Sequence, residues 1–150
     1  MILEHAICHE AGHAIVAMNF GLDIAEIKVK DSIPTAIFNT VGATARQACT
    51  VYAGGAAAEM IAFNRFDEAS DSDKRMILEA GWGSLEDHID YAMQILRANS
   101  GCHRELCNEM SKKWIEEESA SIWSSSNSGK LNFELMDGKR IKEIWQLYHP

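Results

Sequence analysis

Residues 2–19 constrain the fold more than any other stretch of the chain. Leu3, Ile7, Ala11, Ala14, Ile15 and Met18 recur at i, i+4 and i+7 spacing and so share one face of a helix. His5, His9 and His13 fall on the opposite face, with Ile2 and Val16 beside them. A helix with apolar residues on both sides is mostly buried, so the rest of the chain has to be built around it. Gly21 is placed to end it. Within this helix, Cys8–Val16 reads CHEAGHAIV and holds the pattern H-E-x-x-H.

The 150 residues read as one domain spanning 1–150, mainly α with a small β element. Residues 24–30 alternate as a strand, with Ile27 and Val29 against Lys28 and Lys30, and 35–41 is a candidate partner strand. The turn between them is expected over Asp31-Ser32-Ile33-Pro34. A second long helix is expected over 44–63, with Gly54-Gly55 in its interior marking either a close approach of another backbone or a break. Ser70, Asp71 and Ser72 are candidate N-caps for a helix running to about Ala80. Gly81-Trp82-Gly83 interrupts, and Ser84 with Asp87 three residues later opens a helix that Asn99-Ser100-Gly101 ends. A helix over 102–123 carries Leu106, Met110, Trp114 and Ile115 on one stripe. A surface loop over 124–129, a short strand or turn over 131–135, and a helix over 138–148 with Ile141, Ile144, Trp145 and Tyr148 inward complete the chain.

Residues four apart on a helix lie nearly above one another, so His9 and His13 can point two imidazoles at one metal ion. Glu10 sits beside the first ligand, where its carboxylate can take a proton from a metal-activated water. Zinc suits such a site because it accepts imidazole and carboxylate ligands and can keep one position open. Two histidines do not hold a catalytic zinc, and a third protein ligand is required. The extended motif would supply it from a histidine at position 19 after a glycine at 16, but this chain has Val16 and Asn19 there. The third ligand must therefore come from downstream. His88, His103 and His149 are isolated and read as surface or core histidines. Glu59, Asp71 and Asp73 are the acidic candidates near helix ends, and spacing alone does not choose among them.

HEAGHAIVA resembles the zinc-site helix of the FtsH-type, AAA-linked zinc metalloproteases. Three further segments are similar to that family's motifs in the same order: VYAGGAAAEMI at 51–61, ASDSDKRMI at 69–77 and LMDGKRIKEI at 135–144. The resemblance spans nearly the whole chain and implies a zincin-like H-E-x-x-H helix within a helical peptidase domain. It further implies His9 and His13 as zinc ligands, Glu10 as general base and Asp73 as the third ligand, with Asp71 as the alternative. Glu59 is implied as a residue that orients a ligand histidine. The family's cleft-edge strand binds substrate backbone by strand addition, a role open to 24–30 or 35–41. Two departures stand out: Ala56 occupies a position where the family usually has arginine, and the segment between the strands and the second helix is short.

The expected activity is that of a zinc-dependent metalloendopeptidase acting on a polypeptide. The rival expectation is a catalytically inactive binding or assembly module on the same fold. The chain contains no G-x-x-x-x-G-K-[ST] phosphate loop, so ATP-driven unfolding of a substrate would need a separate ATPase partner; a homo-oligomer is also in keeping with the family. A net charge of −8 argues against a nucleic-acid partner, because phosphate binding wants clustered Lys and Arg. No apolar run approaches the ~18 residues of a membrane helix. Cys8, Cys49, Cys102 and Cys107 have no CxxC spacing and read as free thiols in a reducing, cytoplasmic setting.

Overall fold

A computed structural model describes residues 3–65, 71–122 and 129–150. Among these, the order is α1 (Leu3–Asn19), β1 (Ile24–Lys30), β2 (Ile33–Phe38), α2 (Ala45–Phe63), α3 (Asp71–Ala80), α4 (Leu85–Ala98), α5 (Ser100–Ile122), β3 (Phe133–Asp137) and α6 (Gly138–Tyr148). The fold is mainly helical with a small antiparallel sheet of order β2-β1-β3.

α1 is the axis of the molecule, with α2, α4, α5, α6 and the sheet packed about it. Ile7, Ala11, Ala14, Ile15 and Val16 are almost wholly buried, and so are His5, His9 and His13 on the other side. Gly21 ends the helix as expected. Its N–H donates to the Met18 carbonyl and the Leu22 N–H reaches back to Ala17, each at 3.0 Å. This pair of bonds satisfies the last carbonyls and requires the left-handed φ of +70° that Gly21 adopts.

α1 and α2 cross at two glycines. A Cβ on Gly12 would stand 2.3 Å from the Gly54 carbonyl oxygen, and one on Gly54 would stand 2.8 Å from the Gly12 carbonyl oxygen. The glycine pair in α2 therefore allows close backbone approach, and the helix runs through it unbroken from Ala45 to Phe63. Thr44 caps its start reciprocally with Gln47, and Asn64 ends it with a left-handed φ of 57°.

The hairpin is tighter than expected. Asp31 and Ser32 both take positive φ, 50° and 66°, and make a two-residue turn that pairs Lys30 with Ile33. Such a turn matches the twist of the flanking strands. β2 thus begins two residues early, at Ile33, and stops at Phe38 rather than 41. Pro34, read as part of the turn, lies in the edge strand, where a missing N–H costs no ladder bond.

Other boundaries shift for local reasons. Ser84 caps α4 by accepting from the Asp87 N–H at 3.2 Å. α5 starts at Ser100 with only Asn99 between the helices, two residues earlier than expected. The 131–135 segment becomes the strand Phe133–Asp137, because β1 offers it a partner edge. Asp71 is the first residue of α3, whereas Ser70 and nearly all of the 124–129 loop lie outside the described residues. Two expected core residues are not in the core: Ile115 is 63% exposed and Tyr148 46%. Both fall at the margin of their stripes, so the helix turns them to solvent while Leu106, Met110, Trp114, Ile141 and Ile144 stay buried.

Candidate metal centre

α1 lays His9 and His13 one turn apart on the face that meets α2, and α3 brings Asp73 down onto both. His9 Nε2 lies 3.0 Å from His13 Nε2. Asp73 Oδ2 lies 3.2 Å from the first and 3.3 Å from the second. All three residues are buried. Asp71, the alternative ligand, is exposed at the start of α3 and is not part of this group.

The outer nitrogens decide what the inner ones can do. His13 Nδ1 lies 2.7 Å from the carbonyl oxygen of Val51, which can only accept, so Nδ1 carries the proton. His9 Nδ1 donates to Glu59 Oε2 at 3.1 Å. With both Nδ1 atoms protonated, each neutral ring turns a lone pair toward the other and toward the Asp73 carboxylate. Three acceptors facing one another repel unless a cation lies among them. Ligands at zinc-like bond lengths of about 2.0–2.2 Å in a tetrahedron stand about 3.3–3.6 Å apart. The observed 3.0, 3.2 and 3.3 Å are close to that spacing. His9, His13 and Asp73 fit a metal ion by donor type, tautomer and separation.

Charge supports the same reading. Asp73, Glu59 and Glu10 surround two imidazoles, which gives a local negative excess in a buried place. Burial by itself disfavours a charged His9 ring, yet the hydrogen bonds to Asp73 and Glu59 and the charges of Glu10 and Asp73 outweigh it and raise the ring to about 10. Burial likewise opposes ionisation of Asp73, but the bonds from His13 and His9 hold its carboxyl well below the usual carboxylate range. The site demands positive charge, which either protons or a metal can satisfy.

Glu59 is fully buried and touches a second histidine, since His5 Nδ1 lies 3.9 Å from its Oε1 while the His5 ring stacks on Phe63. Two backbone groups of α2 also shape the site, Val51 through its carbonyl and Gly55 through its missing side chain. The Val51 carbonyl fixes His13, and a backbone carbonyl leaves no mark in side-chain identity. Gly55 abuts the His9 ring so closely that a Cβ there would stand 2.3 Å from Nε2. The Gly54-Gly55 pair was the available signal, and the two residues serve different neighbours.

Glu10 is not part of the converging trio. Its Oε2 accepts from the Ala36 N–H at 2.8 Å, tying α1 to β2. Glu10, His9, His13 and Asp73 line a cavity of about 460 Å³ whose other wall is β2, with Phe38, Tyr52 and Met76 adding apolar surface. His88, His103 and His149 lie elsewhere: His88 is buried against the Trp82 carbonyl, His103 packs between Cys8 and Cys107, and His149 binds Asn99. Among the described residues, no helix is long and apolar enough to cross a membrane.

No protein-family model matches the chain, and no curated protein matches it.

Proposed function

We propose that the chain is a zinc-dependent metallopeptidase of the FtsH type, with His9, His13 and Asp73 holding the metal and Glu10 acting as general base. The observation that carries this reading is the meeting of three acceptor atoms, two from H-E-x-x-H and one from Asp73, in a cleft that Glu10 also lines. Zinc, when bound, lowers the pKa of a water to about 7 and polarises a peptide carbonyl.

The chain's own residues do the rest. Glu59 and the Val51 carbonyl lock the two rings with Nδ1 protonated, which leaves both Nε2 lone pairs available to hold a metal. Glu10 takes the proton from the attacking water and returns it to the departing amine. β2 is an edge strand of the sheet and forms the opposite wall, so an extended peptide can lie along it. In an antiparallel ladder, alternate residues turn their N–H and C=O away from the partner strand. Ala36 is one of these, and Pro34 is another. Pro34 has no N–H and Glu10 holds that of Ala36, so the outer edge offers mainly carbonyl acceptors until Glu10 lets go. A peptide that pairs with Ala36 therefore frees the general base as it binds.

The test is Glu10→Gln in a chelator-controlled assay on an unfolded protein such as casein. The variant should keep one zinc per chain and lose cleavage by about 10²–10⁴-fold, the usual contribution of a general base. Undiminished cleavage by the variant would sink the mechanism. Zinc-loaded parent chain that cleaves nothing would favour the binding or assembly module instead.

A further inference from the structure

On the side of α1 that faces α5, Cys8, His103 and Cys107 meet at the floor of a cavity of about 690 Å³. His103 Nε2 lies 3.2 Å from the Cys8 carbonyl oxygen, to which it donates. The same nitrogen is 4.0 Å from Cys8 Sγ and 3.8 Å from Cys107 Sγ, and His103 Nδ1 is 3.9 Å from Cys107 Sγ. Both sulfurs thus lie within 4.0 Å of the same ring nitrogen. Cys8 is buried and Cys107 half-buried, and both are reduced. Arg97, Arg104 and Asn108 bring polar groups to the cavity, and Ile7 and Phe63 bring apolar ones.

This trio differs from the metal centre in one chemical respect. His103 Nε2 spends its proton on a backbone carbonyl and cannot present a lone pair between the sulfurs. Its Nδ1 is left as the acceptor, beside Cys107. Two thiols with a base at hand, on two different helices and open to a cavity, suit sulfur oxidation.

We propose that Cys8 and Cys107 form a thiol-oxidation site that consumes a hydroperoxide and closes into a disulfide between α1 and α5. The proposal stands apart from the peptidase reading. One sulfur attacks the terminal peroxide oxygen and breaks the O–O bond, giving a sulfenic acid. The thiol's proton passes through His103 to the departing oxygen, which leaves as water or an alcohol. The second sulfur then attacks the sulfenic sulfur, the S–S bond forms, and the S–OH oxygen leaves as water with the second thiol's proton. Two thiols lose two electrons in all, and the peroxide accepts both.

The experiment treats the full chain with one equivalent of hydrogen peroxide, then reads intact mass and a non-reducing peptide map. The expected product is a monomer lighter by two hydrogens, with a crosslink between the peptides containing Cys8 and Cys107 and with Cys49 and Cys102 still reduced. Burial pushes both of those thiols up, Cys102 to about 11, so they are internal controls. Cys8→Ser and Cys107→Ser should each abolish the crosslink, and at least one of the two should be trapped by a sulfenic-acid reagent. His103→Ala should slow crosslinking at least about tenfold. Absence of the crosslink in the parent chain, disulfides between chains, or oxidation of Cys49 or Cys102 at an equal rate would overturn the proposal. The parent-chain map needs no variant to fold.

Discussion

Gly55→Ala adds a single methyl group where α2 abuts the ring of His9, a candidate ligand. The new Cβ would stand 2.3, 2.4 and 2.5 Å from Nε2, Cε1 and Cδ2 of His9. Non-bonded carbons settle at about 3.5–4.0 Å, so the ring must shift by more than about 1 Å. A metal site tolerates about 0.2 Å in its ligand distances, so His9 is lost as a ligand. The shift also breaks the His9 bonds to Glu59 and Asp73, at 3.1 and 3.2 Å. Hydrogen bonds to charged groups contribute about 1.5–3 kcal/mol each, and replacing a helical glycine by alanine returns about 1 kcal/mol. The net destabilisation is about 2–5 kcal/mol.

Metal affinity should suffer more. Loss of a partner that merely supports a ligand costs about 10–100-fold, so loss of the ligand itself should cost at least about 100-fold. The assay is a zinc titration against a competing chelating dye, with circular dichroism to establish that the variant is folded. Gly54→Ala is the control. Its Cβ meets the Gly12 backbone rather than a ligand ring, so it should lower the melting temperature while the folded fraction still binds zinc tightly. A folded Gly55→Ala chain with zinc affinity within about tenfold of the parent would refute the site geometry.

Three further outcomes follow from the same contacts. Asp73→Asn should weaken zinc binding at least about 100-fold, whereas Asp71→Asn, at an exposed position, should leave a calorimetric titration unchanged. Because His9 in the metal-free chain titrates near 10, zinc must displace its proton at neutral pH, and the apparent affinity should rise about tenfold per pH unit between about 6 and 8. The metal-free chain should also show a stability window in chemical denaturation. The raised pKa of His9 contributes fully below its ordinary 6.5 and is lost as pH climbs toward about 10. The depressed pKa of Asp73 contributes above its ordinary 3.8 and is lost as pH falls below it.

The parts of the fold that were legible in the sequence are those where one local signal had no competitor. α1 announced itself by an apolar repeat on two faces, and its glycine cap closed it where expected. α4 is opened by Ser84, and α6 runs over 138–148 as its apolar spacing predicts. β2 starts two residues before the expected 35 because Pro34 reads as a turn residue, and only its placement on an edge strand makes it acceptable within a strand. Ile115 and Tyr148 look like core residues by spacing, but the helices turn them past the edge of what packs against them. β3 needed β1 as a partner, a non-local fact that no window of sequence contains.

Within the site, the boundary of legibility lies between the two halves of the metal-binding group. His9 and His13 are set by helical spacing alone, since four residues bring two rings into line. Asp73 is set by how α3 docks, and α3 is a helix of ten residues that buries only Asp73 and Ile77. Ordinary N-terminal capping would account equally well for an aspartate at 71 or at 73. The difference lies in the helical rotation of two residues, about 200°, which turns one carboxylate to solvent and the other onto His9 and His13. So weakly buried a helix draws much of its placement from the very contacts Asp73 makes. The candidate third ligand and the docking of its helix are therefore one interaction, and sequence spacing could propose the residue but not the contact that selects it.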